Sequence, residues 1–265
     1  MKQLLIIPNL SNIEECLALA SEYNAGLEFN EFYSPDVLDN EDKINEIVNE
    51  YKKHKLPEFR TVHGAFFDVI PFSMDSKIKE ISNLRIHQSI DAARRIGAKA
   101  VIFHTNYNPF LNSKEYIDDW IEINICYWSE VLKDNPDMNI YLENMFDTTP
   151  DIMVALSEEL SKFHNFGVCL DYAHAFLSKI DPQRWAEKLG KYVKHIHIND
   201  NDGVSDLHQV WGEGIIDREG FYRSYEKYMN TATILVETSD IGKAKKTIER
   251  LKEEVFIKAY NISED

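Results

Sequence analysis

At 265 residues, 44% hydrophobic and 28% charged, the chain is long enough to bury one sizeable core and has the composition of a soluble globular protein. Its net charge of −16 argues against non-specific nucleic-acid binding, which needs Lys and Arg to displace counterions. Cys16, Cys126 and Cys169 are too scattered for a disulfide framework and point to a reducing cytoplasm, and no run reaches the ~20 apolar residues of a membrane span.

The opening MKQLLIIPNLSN holds an apolar run too short for a signal-peptide core and reads as a first strand. SNIEECLALASEY follows as a helix, with Ser11 the expected N-cap. AGLEFN is a second strand, and EDKINEIVNEYKKH places Ile44, Ile47, Val48 and Tyr51 at helical spacing. FRTVH ends at His63 and leads through an aromatic loop into a helix stopped by Gly97. The alternation continues with strands KAVIFH (ending at His104), MNIYLEN (Glu143), FGVCLD (Asp171), YVKHIHI (His197) and ATILVE (Glu237). Between them lie the helical stretches SKEYIDDWIEINICYWSEVL, TPDIMVALSEEL, DPQRWAEKLG and EGFYRSYEKY, and IGKAKKTIERLKEEV closes the chain. Eight strands and eight helices in alternation predict parallel strands with right-handed crossovers. Strands apolar on both faces favour a closed barrel over an open sheet, hence a single-domain (β/α)8 TIM barrel spanning residues 1–265.

In such barrels the strand C-termini form the active face. Nine metal-binding side chains fall there: His63, His104, Glu143, Asp171, His174, His197, Asp206, His208 and Glu237. Imidazole and carboxylate together suit Zn, Mn, Fe or Co rather than Mg or Ca. Each residue alone has a plainer explanation: Asp171 could cap a helix and Asp206 could close a turn. Those explanations would have to hold nine times over. The long loop 199–217 carries two of the nine, and loops of that length are usually functional. By contrast, His54, His87 and His164 fall in or after helices, His195 lies one layer below His197, and Cys169 sits inside a strand. These five read as surface or packing residues.

FGVCLDYAHAF, HIHINDNDG, DLHQVWGEGIID and the strand-end glutamates resemble the xylose isomerase-like TIM barrels. That superfamily includes sugar isomerases and epimerases, related dehydratases and endonuclease IV-type apurinic endonucleases. In the isomerase and epimerase branch the resemblance implies one divalent ion on Glu143, Asp171, His197 and Glu237, with Glu143 and Glu237 also serving as the catalytic acid/base pair. In the endonuclease branch it implies a trinuclear zinc site on all nine residues. The expected cofactor is therefore one to three Zn, Mn or Co ions per chain.

The chain departs from the endonuclease pattern at Leu207, where that branch usually has Arg, and at Asn201-Asp202, where it usually has Ser-Lys. Phe66 replaces a usual Tyr, and the loop FNEFYSPDVL has no Lys or Arg to meet a phosphate backbone. It also lacks the Arg that epimerases often place after the strand 7 His, with none between His197 and Arg218. The balance favours a small-molecule sugar substrate over DNA. A zinc-dependent phosphoester hydrolase is the alternative. Phe66, Phe67, Tyr107 and Trp211 are candidates for covering apolar sugar faces, with loop packing the alternative for each.

Overall fold

Each short apolar run becomes a strand whose successive side chains face opposite buried surfaces. In the computed structural model, which describes residues 3–66 and 68–261, the strands are β1 (Leu4–Ile6), β2 (Gly26–Phe29), β3 (Arg60–His63), β4 (Ala100–His104), β5 (Asn139–Glu143), β6 (Phe166–Asp171), β7 (Val193–Ile198) and β8 (Thr233–Val236). All neighbours are parallel and follow sequence order, and β1 closes onto β8 through Leu4↔Ile234, Leu5↔Leu235 and Ile6↔Val236. With helices around it, this is the expected (β/α)8 barrel. Phe67 lies outside the described residues.

The surrounding helices are α1 (Ile13–Tyr23), α2 (Pro35–Leu38), α3 (Glu41–Lys52), α4 (Ser76–Ile96), α5 (Lys114–Asp134), α6 (Asp151–Leu160), α7 (Tyr172–Leu177), α8 (Pro182–Leu189), α9 (Arg218–Ser224) and α10 (Ile241–Asn261). Two connections therefore hold a helix more than the strict alternation predicts. Between β2 and β3, α2 precedes α3; after β6, α7 precedes α8, the predicted DPQRWAEKLG helix. Gly97 ends α4 in the left-handed conformation at φ 73°, as expected. Ser11 is not the cap of α1. The Asn9 side chain accepts from the Ser11 N–H at 2.9 Å and starts a 3-10 turn that leads into the helix. No helix among the described residues is long and apolar enough to cross a membrane.

Outward-facing strand residues such as Leu27, Val62, Val101 and Ile196 pack with the helices in one large buried cluster. The inward positions alternate with them. Two residues below the strand ends lie Thr61, Ile102, Tyr141, Cys169, His195 and Leu235, a buried layer directly beneath the rim. Glu28 of β2 joins this layer and is fully buried.

The long connection after β7 is held down by Asp200. Its Oδ1 accepts from Asn201 N (3.0 Å) and Ile216 N (3.1 Å), and its Oδ2 accepts from Gly212 N (2.8 Å). A Cβ at Gly214 would lie 2.3 Å from both Asp200 Oδ1 and Asn201 O, so only glycine lets the loop close this tightly. Asp206 and His208 thus stand on an anchored loop.

Candidate metal centre

The register of the barrel sets the spacing of the rim. His104 pairs with Glu143 across β4 and β5, and Asp171 with His197 across β6 and β7. Parallel neighbours lie roughly 4.8 Å apart, so these side chains start within reach of a shared ion. Glu143, Asp171 and His197 are fully buried, and His63, His174 and Glu237 nearly so.

Glu143 is the hub. Its Oε2 lies 3.5 Å from the Nε2 atoms of both His63 and His104, and its Oε1 lies 3.2 Å from His197 Nδ1. His197 Nδ1 is also 3.5 Å from Glu237 Oε1. His174 links Glu143 (3.7 Å), Asp171 (3.6 Å) and Asp206 (3.3 Å), and His208 Nε2 reaches Asp206 at 2.9 Å. All nine predicted residues therefore meet at one place. Two overlapping sets bring one ligand atom per residue within 4.8 Å of one another: His63/His104/Glu143, and Glu143/Asp171/His197/Glu237.

Three imidazoles are oriented by backbone carbonyls. His63 Nδ1 meets Gly64 O at 3.0 Å, His174 Nδ1 meets Asn144 O at 2.9 Å, and His208 Nδ1 meets Glu237 O at 3.0 Å. A carbonyl only accepts, so Nδ1–H donates in each case, which leaves Nε2 to face Glu143 from His63 and Asp206 from His174 and His208. That is the second bond by which metal-binding histidines are usually held. Asn144 joins the ends of β5 and β6, its Nδ2 donating to Asp171 O and its Oδ1 accepting from Asp171 N, both at 2.9 Å. Asn199 Nδ2 donates to Glu237 Oε2 at 3.0 Å. Asp171 does cap α7, since its Oδ1 accepts from His174 N at 2.6 Å, yet its Oδ2 remains turned toward the centre.

Electrostatics and hydrogen bonding both fit a cation here. Burial pushes the Asp171 carboxyl well above the usual range, and Glu237, Glu143 and Asp206 add to it against the opposing pull of His174. Glu143 is equally buried, but His197 and His104 outweigh the desolvation and hold it well below. Against their own burial, nearby acids push His174 and His197 well above the usual imidazole value. Hydrogen bonding to Asp206 raises His208 to about 10, while Glu237, despite burial, is drawn to about 2 by His197. Protons on imidazoles thus balance the acids, a task that divalent ions perform with neutral imidazoles as ligands. Meanwhile both oxygens of Glu143, Oδ2 of Asp171 and both ring nitrogens of His197 are buried without a hydrogen-bond partner. Unpaired buried atoms cost about 1–3 kcal/mol each, and four of these five, all but the His197 Nε2 that faces Glu28, converge on one spot and mark a place for ligation. A mixed nitrogen and oxygen donor set suits Zn, Mn or Co.

A third set, Cys169/His195/His197, lies deeper. Both ring nitrogens of His195 are already engaged, Nδ1 2.6 Å from Thr233 Oγ1 and Nε2 3.1 Å from Glu28 Oε2, and burial drives the Cys169 thiol well up, as for a packed core residue. Glu28 is the residue that sequence reasoning missed. Its Oε2 accepts from Thr61 Oγ1 at 2.5 Å and lies 3.1 Å from His195 Nε2, and its Oε1 lies 3.1 Å from His197 Nε2. An acid inside the otherwise apolar strand GLEF is the signal that could have found it. Histidines 54 and 164 have other partners, Glu14 and Pro136 O, and His87 is exposed.

The three aromatic candidates separate. Phe66 stands at the mouth, its ring 5.0 Å from His63 and 5.1 Å from His104. Tyr107 touches the same cavity, but its hydroxyl donates to Leu111 O and its ring packs on Trp120. Trp211 is not at the mouth. It is fully buried edge-on against Phe221, because the Asp200↔Gln209 bridge folds the loop back beneath itself. The cavity that reaches the centre, with His104 in its wall, measures about 490 Å³. A larger one of about 640 Å³ beside α7 contains none of the nine residues.

Residues 17–254 match the sequence profile described as xylose isomerase-like TIM barrel. An uncharacterized protein of Methanocaldococcus jannaschii is 28% identical over 214 residues, covering 77% of this chain and 72% of its own length. Fructoselysine 3-epimerase of Shigella flexneri is 27% identical over 176 residues, covering 60% of this chain and 62% of its own. Among solved structures, a D-tagatose 3-epimerase-like protein superposes with a TM-score of 0.78 at 23% identity, covering 98% of this chain and 99% of that one. Endonuclease IV from Thermus thermophilus superposes with a TM-score of 0.63 at 14% identity, covering 95% and 99%. At these identities the solved structures establish a shared fold.

Proposed function

The chain belongs to the xylose isomerase-like TIM barrel family, and from that premise we propose that it is a metal-dependent isomerase or epimerase of a small sugar. The observation that carries this assignment is the pair Glu143 and Glu237. They arrive from β5 and β8, and their carboxylates lie 3.2 and 3.5 Å from the same His197 nitrogen. Two carboxylates from separate strands can address two faces of a carbon chain bound between them. One removes the proton beside a carbonyl and the other returns it, on the opposite face for an epimerase or at the neighbouring carbon for an isomerase. Asn199 holds Glu237 in place, and Phe66 closes the mouth over His63 and His104. A divalent ion held by Glu143, Asp171, His197 and Glu237 would supply electrophilic polarisation of the carbonyl. The similarity to fructoselysine 3-epimerase supports this chemistry. The free thiols Cys16, Cys126 and Cys169 suit a reducing cytoplasm.

A second reading, a zinc-dependent phosphoester hydrolase, has one observation in its favour: His63, His104, His174, Asp206 and His208 join the four-residue set instead of lying apart from it. The charge of −16 and the cation-free loop after β2 weigh against a DNA substrate. Elemental analysis together with two assays decides between them. Ketose turnover with solvent deuterium entering beside the carbonyl is the expected result. About three zinc ions per chain, with cleavage of abasic DNA and no ketose exchange, would overturn the assignment.

A further inference from the structure

The mouth of the barrel is chemically lopsided. Carboxylates and imidazoles ring it from β3 to β8, but on the side of the loops after β3, β4 and β5 it opens into the 490 Å³ cavity that shares His104 with the metal centre. That cavity is walled by Phe66, Ile70, Pro109, Phe110, Met145 and Phe146. Its polar members besides His104 are Asp68, Asn106, Asn108 and Tyr107, whose hydroxyl donates to Leu111 O, with no Lys or Arg among the described lining residues. Phe110 is 91% exposed and Phe146 57%, so two rings stand in water beside a polar site. Isolated apolar residues on a surface need no explanation, but a rimmed apolar concavity continuous with a reactive centre marks a binding groove.

The groove is preformed. Asn106, in the left-handed conformation at φ 49°, donates from Nδ2 to Phe66 O at 3.1 Å and to Val69 O at 2.9 Å. These bonds tie the loop after β3 to the loop after β4 and keep the wall open. Hydroxyl groups laid against such a wall would lose their hydrogen-bond partners, and a phosphate would meet Asp68 with no cation to balance it.

We infer that this groove receives an uncharged apolar substituent carried by the sugar, whose reacting carbons lie between Glu143 and Glu237. The substrate class is then a ketose joined to an apolar group, not a free sugar or a sugar phosphate. The inference rests on the sugar chemistry proposed above, and two separate measurements keep their failures apart. Titration calorimetry on the metal-loaded protein reads the groove without turnover. A benzyl ether of fructose, at O1 or at O6, is expected to bind roughly tenfold or more tightly than fructose. Fructose 6-phosphate should bind no tighter than fructose. Phe146→Asp should bring the benzyl preference back toward one, as should Phe110→Asp at the other exposed ring. Equal binding of benzyl and free ketoses, or a preference for the phosphate, overturns the inference. Deuterium uptake on the same ketoses tests the sugar chemistry on its own. Tight benzyl binding without exchange on any ketose supports the groove and removes the epimerase assignment.

Discussion

Two polar layers sit one above the other in this barrel, one pleat apart, and they differ in how they treat their hydrogen-bonding groups. In the lower layer, Glu28 Oε2, Thr61, His195 and Thr233 satisfy one another, with His195 Nδ1 2.6 Å from Thr233 Oγ1. In the rim layer, Glu143, Asp171 and His197 are just as buried, yet five of their polar atoms have no hydrogen-bond partner. Residue type and burial do not separate the two layers. Satisfaction does: the lower set packs, and the upper set is built to hold something. Glu28 Oε1, also unpartnered, is the one atom that reaches across, facing His197 Nε2.

The largest effect that would sharpen this contrast is at the hub. Glu143→Gln should lower turnover by about 10³-fold or more, with the fold intact by circular dichroism. Retention of full activity would dissolve the functional meaning of the upper layer. Next comes removal of metal. With ions at about 1,000 times their dissociation constant, chelation should lower stability by about 4 kcal/mol, seen as a drop in melting temperature that returns on reconstitution. His63→Ala refines this result: loss of one ion per chain together with activity favours a polynuclear centre, and unchanged metal and activity leave His63 a bystander.

A third test uses a rim carboxyl with no close imidazole partner. Asp147 accepts from Thr105 Oγ1 at 2.5 Å and Met145 N at 3.1 Å, and burial raises its carboxyl to about 6. A carboxyl raised on folding gives up stability as pH climbs from its ordinary value through 6, because the folded chain then holds the extra proton. Asp147→Asn should therefore gain on the parent by about 3 kcal/mol between pH 3 and pH 8, read from denaturant melts at both. A constant difference across that range would mean that the site is wetter than its burial implies. The smallest effect belongs below. Thr61→Val should cost about 2 kcal/mol by taking a donor from Glu28 while leaving metal content unchanged. If it stripped metal from the rim, the two layers would be one site.

The rim was legible in the sequence and the layer below was not, for a topological reason. Parallel strands all end on one face, so a His, Asp or Glu closing each apolar run can be read by position alone, as His63, His104, Glu143 and Asp171 were. Glu28 sits mid-strand, and its partners Thr61 and His195 are 33 and 167 residues away, which no local pattern reveals. His195 was rightly placed inside, but its polar partnership depends on the same closure. Trp211 misled because a long loop suggests a mouth, whereas the Asp200 anchor turns that part of it inward. The extra helix α7 was hidden in Asp171, a residue that both caps it and faces the centre.

The pairing of His104 with Glu143 and of Asp171 with His197 also bears on how such a protein can change over generations. Those spacings belong to the backbone ladder, and a one-residue insertion inside β5 or β6 would turn the ligands to the opposite face. Beyond Gly64, Phe66 and Asn144, which touch the ligands directly, the segments after β3, β4 and β5 carry no such obligation. Descendants of this chain can exchange those segments, and with them the shape of what is accepted, while inheriting the reactive geometry unaltered.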